Sequence, residues 1–122
     1  MDTELKESDL NQRSLDQFTG TSQYYKHMLS GYTYTDGIKY LADKGKSYWL
    51  IDKILIITRY TKKLQEFGVW ELVVSKDKTA VLTCEDGNGH KLYSEKIDYT
   101  DFKLDKVEVW FESGVLILPS EH

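Results

Sequence analysis

The chain is 122 residues long, enough for one hydrophobic core and too short for two. A net charge of −4 argues against a duplex-wide nucleic-acid surface, which needs a basic footprint. A single cysteine, Cys84, excludes an intramolecular disulfide, and no apolar run approaches the ~20 residues that cross a bilayer, so the chain reads as cytoplasmic and free of a membrane anchor.

Residues 3–18 have the spacing of a polar amphipathic helix, with Leu10, Ser14, Leu15 and Phe18 on one stripe. Residues 1–15 read as a polar helical extension of a single domain spanning 1–122, with Gly20 placed to supply a left-handed cap after the helix. The segment Gln23–Leu29 is rich in aromatics and reads as a short strand, on which Tyr25 and His27 share one face and Tyr24 takes the other. Thr35 or Asp36 can cap a helix in which Ile38, Leu41 and Ala42 recur, and Gly45 suits the C′ position. Ser47 can cap a second helix running to about Lys63, with Leu50, Ile51, Ile54, Leu55 and Thr58 on its stripe. Trp49, Ile56 and Ile57 widen that stripe, so burial on several sides is expected. The β-branched residues from Ile54 onward leave a strand as the competing reading.

From Gly68 the period changes to two. Strands are expected at Val69–Ser75, Thr79–Glu85, His90–Ile97, Lys106–Glu112 and Val115–Leu118. Asp86-Gly87-Asn88-Gly89 is the strongest turn signal, because these residues tolerate positive φ. Val115–Leu118 is apolar on both faces, which makes it either a central strand or a pairing edge between chains. Short connections imply antiparallel pairing. The expected architecture is α+β, with N-terminal helices packed on a C-terminal antiparallel meander of about five strands.

Several strings then stand together: Gln17–Thr21, Tyr24–His27, Tyr34–Gly37, Tyr48–Asp52, Leu82–Asn88, Tyr99–Phe102 and Leu118–Glu121. In this order the chain resembles a family of short proteins of unknown function from bacteria, phages and plasmids, over about Asp16 to Glu121. The resemblance implies a genomic setting and carries no catalytic residues.

Four features bear on chemistry. Tyr24, Tyr25 and His27 offer phenols beside an imidazole of near-neutral pKa, but a base needs an orienting partner, so a half-buried strand explains them as well. Asp52 sits within the most apolar helix and, if buried, must be paired, for instance with Lys53 or Lys39. Trp110 alternates out of the apolar face formed by Val107, Val109 and Phe111, which leaves it between Glu108 and Glu112 as a candidate anchor for a partner. It would lose that role if the N-terminal helix or the 23–34 segment covered its face. Asp36 joins the tyrosines and His27 as a possible pocket residue.

No metal or cofactor is expected. The 85–90 segment lacks the spacing of a calcium loop, the histidines are scattered, and no phosphate-binding glycine loop occurs. The lack of a catalytic constellation, the surplus of aromatics and the mobile-element setting that the resemblance implies together point to a non-catalytic binding module that meets a protein partner or its own copy. A small-molecule or nucleotide binder, even a small enzyme, with a pocket between helices and sheet is the alternative.

Overall fold

The computed structural model describes residues 10–122, so the first part of the expected N-terminal helix lies outside the described residues. Among the described residues three helices, α1 (Gln12–Asp16), α2 (Asp36–Lys44) and α3 (Tyr48–Tyr60), accompany seven strands. The strands are β1 (Tyr24–Lys26), β2 (Thr33–Thr35), β3 (Phe67–Val74), β4 (Ala80–Glu85), β5 (Lys91–Ile97), β6 (Lys106–Glu112) and β7 (Val115–Ile117). They form one sheet in the order β1-β2-β7-β6-β3-β4-β5.

The α+β class holds, but the meander does not. β3, β4 and β5 follow one another, as do β6 and β7, but between β5 and β6 the chain crosses back so that β6 pairs with the other side of β3. Thr100 N–H donating to the Lys78 carbonyl (2.9 Å) and Val74 N–H donating to the Asp105 carbonyl (2.7 Å) hold that return in place, with Phe102 buried beneath it. Two strands also precede the main helices, and β2 pairs parallel with β7, which makes the sheet mixed. At three residues, β1 and β2 are too short for alternation to mark them as sheet members. Val115–Ile117 is accordingly a central strand between β2 and β6, and its two apolar faces need no partner chain.

α1 is a single capped turn. Asn11 Oδ1 accepts from Ser14 N–H (2.9 Å), and Gly20 has no left-handed backbone. Leu10 and Leu15 are buried with the core, so this segment is more than a polar extension. Thr35 caps α2, its Oγ1 accepting from Ile38 N–H at 3.4 Å. Gly45 follows α2 at φ −89°, and the left-handed residue is Lys46 at φ 49°. Gly45 is needed for space: a Cβ there would lie 2.9 Å from Leu10 Cδ2 and 3.0 Å from Phe102 Cε1. Ser47 precedes α3 without capping it; its hydroxyl donates to the Leu41 carbonyl (3.1 Å) and ties the two helices together.

α3 is helical throughout the segment that could have been a strand, ending at Tyr60 before a separate 3-10 turn at Lys62–Leu64. Leu50, Ile51, Ile54, Leu55 and Thr58 are all buried against the sheet, where Trp70, Leu72, Leu82, Cys84, Val107, Val109 and Phe111 meet them. Asp86 shapes the β4–β5 turn by accepting from Asn88 N–H (2.8 Å), with Gly87 and Gly89 at positive φ. The β6–β7 hairpin turns through Ser113 (φ 54°) and Gly114 (φ 83°), the twist two-residue hairpins favour.

Candidate functional site

The side chains that leave the α3 stripe meet both edges of the sheet. Asp52 Oδ1 lies 2.7 Å from Nε2 of His27, the residue after edge strand β1. Lys53 Nζ donates to Glu95 Oε2 on the opposite edge strand, β5, at 2.9 Å. The sheet therefore curls around α3, with its two edges brought to the same helix but not joined. Asp52 is half-exposed, and its partner is His27, neither Lys53 nor Lys39.

Between α3 and β5 runs a groove of about 590 Å³ lined by Trp49, Asp52, Lys53, Ile56, Ile57, Tyr93 and Glu95. Its volume is that of a ligand site. Trp49, Ile56 and Ile57 were expected to be covered on several sides; instead they stay partly open and form its apolar wall. Glu95 uses both oxygens, since Tyr93 Oη donates to Oε1 at 2.7 Å. The Tyr93 hydrogen bond, followed by that from Lys53, holds the Glu95 carboxyl below its ordinary range. Burial, helped by Glu95, pushes the Tyr93 phenol up to about 12. The groove thus holds no phenol ready to ionise near neutrality.

Tyr25 and Asp36 meet elsewhere, at the start of α2. Asp36 Oδ2 accepts from the amide and hydroxyl of Ser22 (2.9 and 3.0 Å), and Oδ1 accepts from Tyr25 Oη (3.0 Å). The Ser22 amide is the main reason the Asp36 carboxyl lies below the usual aspartate value, with the hydroxyls of Ser22 and Tyr25 adding to it. Beside it, the Glu121 carboxylate accepts from Thr35 Oγ1 (2.6 Å), Gly37 N–H (3.0 Å) and Leu118 N–H (2.9 Å). Tyr24 is exposed and points away from this lock. The three groups expected around one pocket are therefore divided: Tyr25 with Asp36, His27 with Asp52, and Tyr24 in solvent.

Trp110 lies on the sheet face opposite the core. It is half-buried, its Nε1–H donates to Glu108 Oε2 (2.7 Å), and its ring meets Phe67 (5.9 Å) and His122 (5.0 Å) edge to face. The 23–34 segment extends the sheet through β1 and β2 and does not lie across that face.

A model of a family of unknown function, DUF6876, matches residues 9–122. The chain belongs to that family. No curated protein and no solved structure matches it.

Membership leaves the chemistry to the geometry, and one arrangement invites an enzymatic reading. Ser30 Oγ lies 2.7 Å from His27 Nδ1, so Ser30, His27 and Asp52 are linked in the order of a hydrolase relay. The details oppose that reading. Nδ1 also receives the Ser30 backbone N–H (3.2 Å), so the lone pair that would take the hydroxyl proton is already engaged by the turn. The Ser30 hydroxyl in turn accepts from Tyr32 N–H (3.2 Å). Ser30 and His27 are buried while Asp52 is half-exposed, the reverse of what a nucleophile and its orienting acid require. These residues fasten the β1–β2 turn, completed by Gly31 at φ 82°, to α3.

Sequence reasoning missed Ser30 and the β5 contribution of Tyr93 and Glu95. Their signal was there: Tyr93, Glu95 and Ile97 share one strand face, opposite Cys84, Leu82 and Ala80. Among the described residues no group of His, Cys, Asp and Glu could hold a metal, and no helix is long and apolar enough to cross a membrane.

Proposed function

We propose that this protein is a non-catalytic binding module whose contact surface is the groove between α3 and β5. One observation carries the reading: partly open apolar side chains, Trp49, Ile56 and Ile57, stand beside charged groups that already hold one another. Such a surface offers hydrophobic area with little further desolvation cost, which suits recognition better than proton transfer. Cytoplasmic work in a bacterium or its mobile elements, contacting another protein, fits this reading and the buried lone thiol of Cys84.

A photo-crosslinking amino acid at Ile56 tests it in cells of the source organism, with the same group at exposed Tyr99 as control. The expected result is a discrete adduct from position 56 and none from position 99. Equal labelling, or none at either position, would remove the reading. The second reading, a small-molecule or nucleotide binder, is favoured by the groove's volume and by its place between helix and sheet. A complex in which a small metabolite, rather than a protein, protects Trp49 would select it.

A further inference from the structure

We infer that β5 accepts an extended segment of a partner protein as an eighth strand, with apolar side chains on Trp49 and Ile56 and a lysine or arginine on Asp52. The inference rests on the groove being the contact surface, as proposed above, and adds the mode and the chemistry of the partner.

The sheet order supplies the first support. Among the described residues β5 is the last strand and pairs only with β4, so one row of its backbone N–H and C=O groups has no described strand beside it. A row of that kind is a template for another chain. The opposite edge, β1, offers only three residues, whereas β5 offers seven.

The register supplies the second. Tyr93 and Glu95 stand opposite Cys84 and Leu82, which face the core, so the side chains of β5 that line the groove lean toward α3. A strand laid along the free edge would direct every second side chain the same way, onto Trp49 and Ile56. A helix in the same place would cover the apolar wall but leave the edge groups unpaired.

Charge supplies the third. Glu95 is held on both oxygens, and Lys53 is bonded to it. Asp52 gives Oδ1 to His27, and its Oδ2 has no hydrogen-bond partner among the described residues. An incoming cation finds one open acceptor in the groove, and an incoming carboxylate finds no free cation. A second copy of this chain would present its own Asp52 and an already bonded Lys53, so a foreign basic segment is the better complement.

The test selects displayed random dodecapeptides on the immobilised full chain. The selected peptide is then synthesised with N-methyl groups on alternate amides, in each of the two phases. Expected are apolar residues at a spacing of two with a Lys or Arg among them, and binding about tenfold weaker in one N-methyl phase only. Asp52→Asn, which keeps an acceptor for His27, should weaken the basic peptide about tenfold and leave its norleucine analogue unchanged. Ile56→Glu should abolish binding of both while the thermal unfolding profile stays cooperative.

Several results would overturn the inference. Peptides that Ile56→Glu blocks, but with helical spacing, equal binding in both N-methyl phases or no basic preference, leave the groove reading standing and remove this one. Peptides insensitive to Ile56→Glu, or a selection that yields none, remove both. A dimer in solution that the peptide dissociates would assign the edge to a second copy and overturn the foreign partner.

Discussion

Asp52 and Lys53, consecutive on α3, fasten opposite edges of one sheet: Asp52 holds His27 beside β1 at 2.7 Å, and Lys53 holds Glu95 of β5 at 2.9 Å. The two links are unequal. Lys53 and Glu95 are each about a third exposed (32% and 31%), so the pair is screened and its coupling should fall in the ~0–1 kcal/mol range of surface bridges. His27 is buried at 9% exposure, and its removal strands the Ser30 hydroxyl as well, so a coupling of about 1–2 kcal/mol is expected there. Double-mutant cycles with Asp52→Ala and His27→Ala, and with Lys53→Met and Glu95→Ala, measure both, since each single variant removes the contact. Hydrogen exchange should accelerate at Tyr24–Lys26 in the first cycle while the amides of β3 and β4 keep their protection. A larger coupling in the second cycle would reverse this ranking.

Glu121 and Gly37 form a second lock, between the end of the described chain and the start of α2. Glu121→Ala removes three hydrogen bonds, two of them to backbone amides that would otherwise need other partners, and should cost about 1–3 kcal/mol. Gly37→Ala should act through the same contact, because its Cβ would stand 2.7 Å from both Glu121 Oε1 and Leu118 Cδ1. The double variant should therefore lose less than the sum of the two single losses in urea unfolding. Strict additivity would mean that Gly37 serves some other purpose.

Acid sensitivity should trace in part to Asp36. Its folded carboxyl titrates below the ordinary aspartate value of ~4, chiefly because the Ser22 amide favours the charged form. The unfolded chain then binds the proton at a higher pH than the folded one. The stabilisation is complete above the ordinary value and is lost as pH falls through the depressed one. Asp43, Asp77, Asp86 and Glu95 are shifted the same way, so Asp36→Asn should flatten the acid limb without abolishing it. Urea midpoints across an acid pH series measure the limb, and an unchanged slope in the variant would exclude Asp36 from it.

The strings that carry the family resemblance turn out to be the joints of this fold, which is why they were legible as pattern and silent as function. Thr35, Asp36 and Gly37 meet Ser22, Tyr25 and Glu121, while His27 meets Asp52. Periodicity located α2, α3, β3, β4 and β6 because each buries one face over several residues, while turn signals bounded β5 and β7. It could not locate β1 and β2 as sheet members or the parallel β2–β7 pair, since three-residue strands have no period and pairing partners are set by the tertiary fold. The groove was illegible for a related reason. An apolar arc wider than one face, as in Trp49, Ile56 and Ile57, has the same pattern whether it is covered or left open.

Gly68 should be intolerant of any side chain. A Cβ there would lie 2.7 Å from Cys84 Sγ and 3.2 Å from Trp70 Nε1, inside the fully packed centre of the sheet. Gly68→Ala should cost about 1–3 kcal/mol by overpacking, and Cys84→Ala should recover part of that loss in the double variant. Burial pushes the Cys84 thiol up to about 12, so the folded protein should react slowly with thiol reagents and Gly68→Ala faster. Denaturant unfolding and reagent kinetics on the same samples would reject the clash if the double variant were no more stable than Gly68→Ala.

Trp110 discriminates the outer sheet face from the groove as the contact surface. Its indole N–H is already given to Glu108, and its ring is flanked by Phe67 and His122. A side chain held this way contributes to stability through contacts made before any partner arrives. Trp110→Ala should therefore lower unfolding free energy by about 1–2 kcal/mol, less than a fully buried aromatic, while the position-56 crosslink persists. A partner anchor would behave in the opposite manner, with truncation abolishing the crosslink and leaving the unfolding midpoint where it was. Measuring both properties on one variant assigns the residue. Loss of the crosslink at unchanged stability would move the contact surface from the α3–β5 groove to the face that carries Trp110.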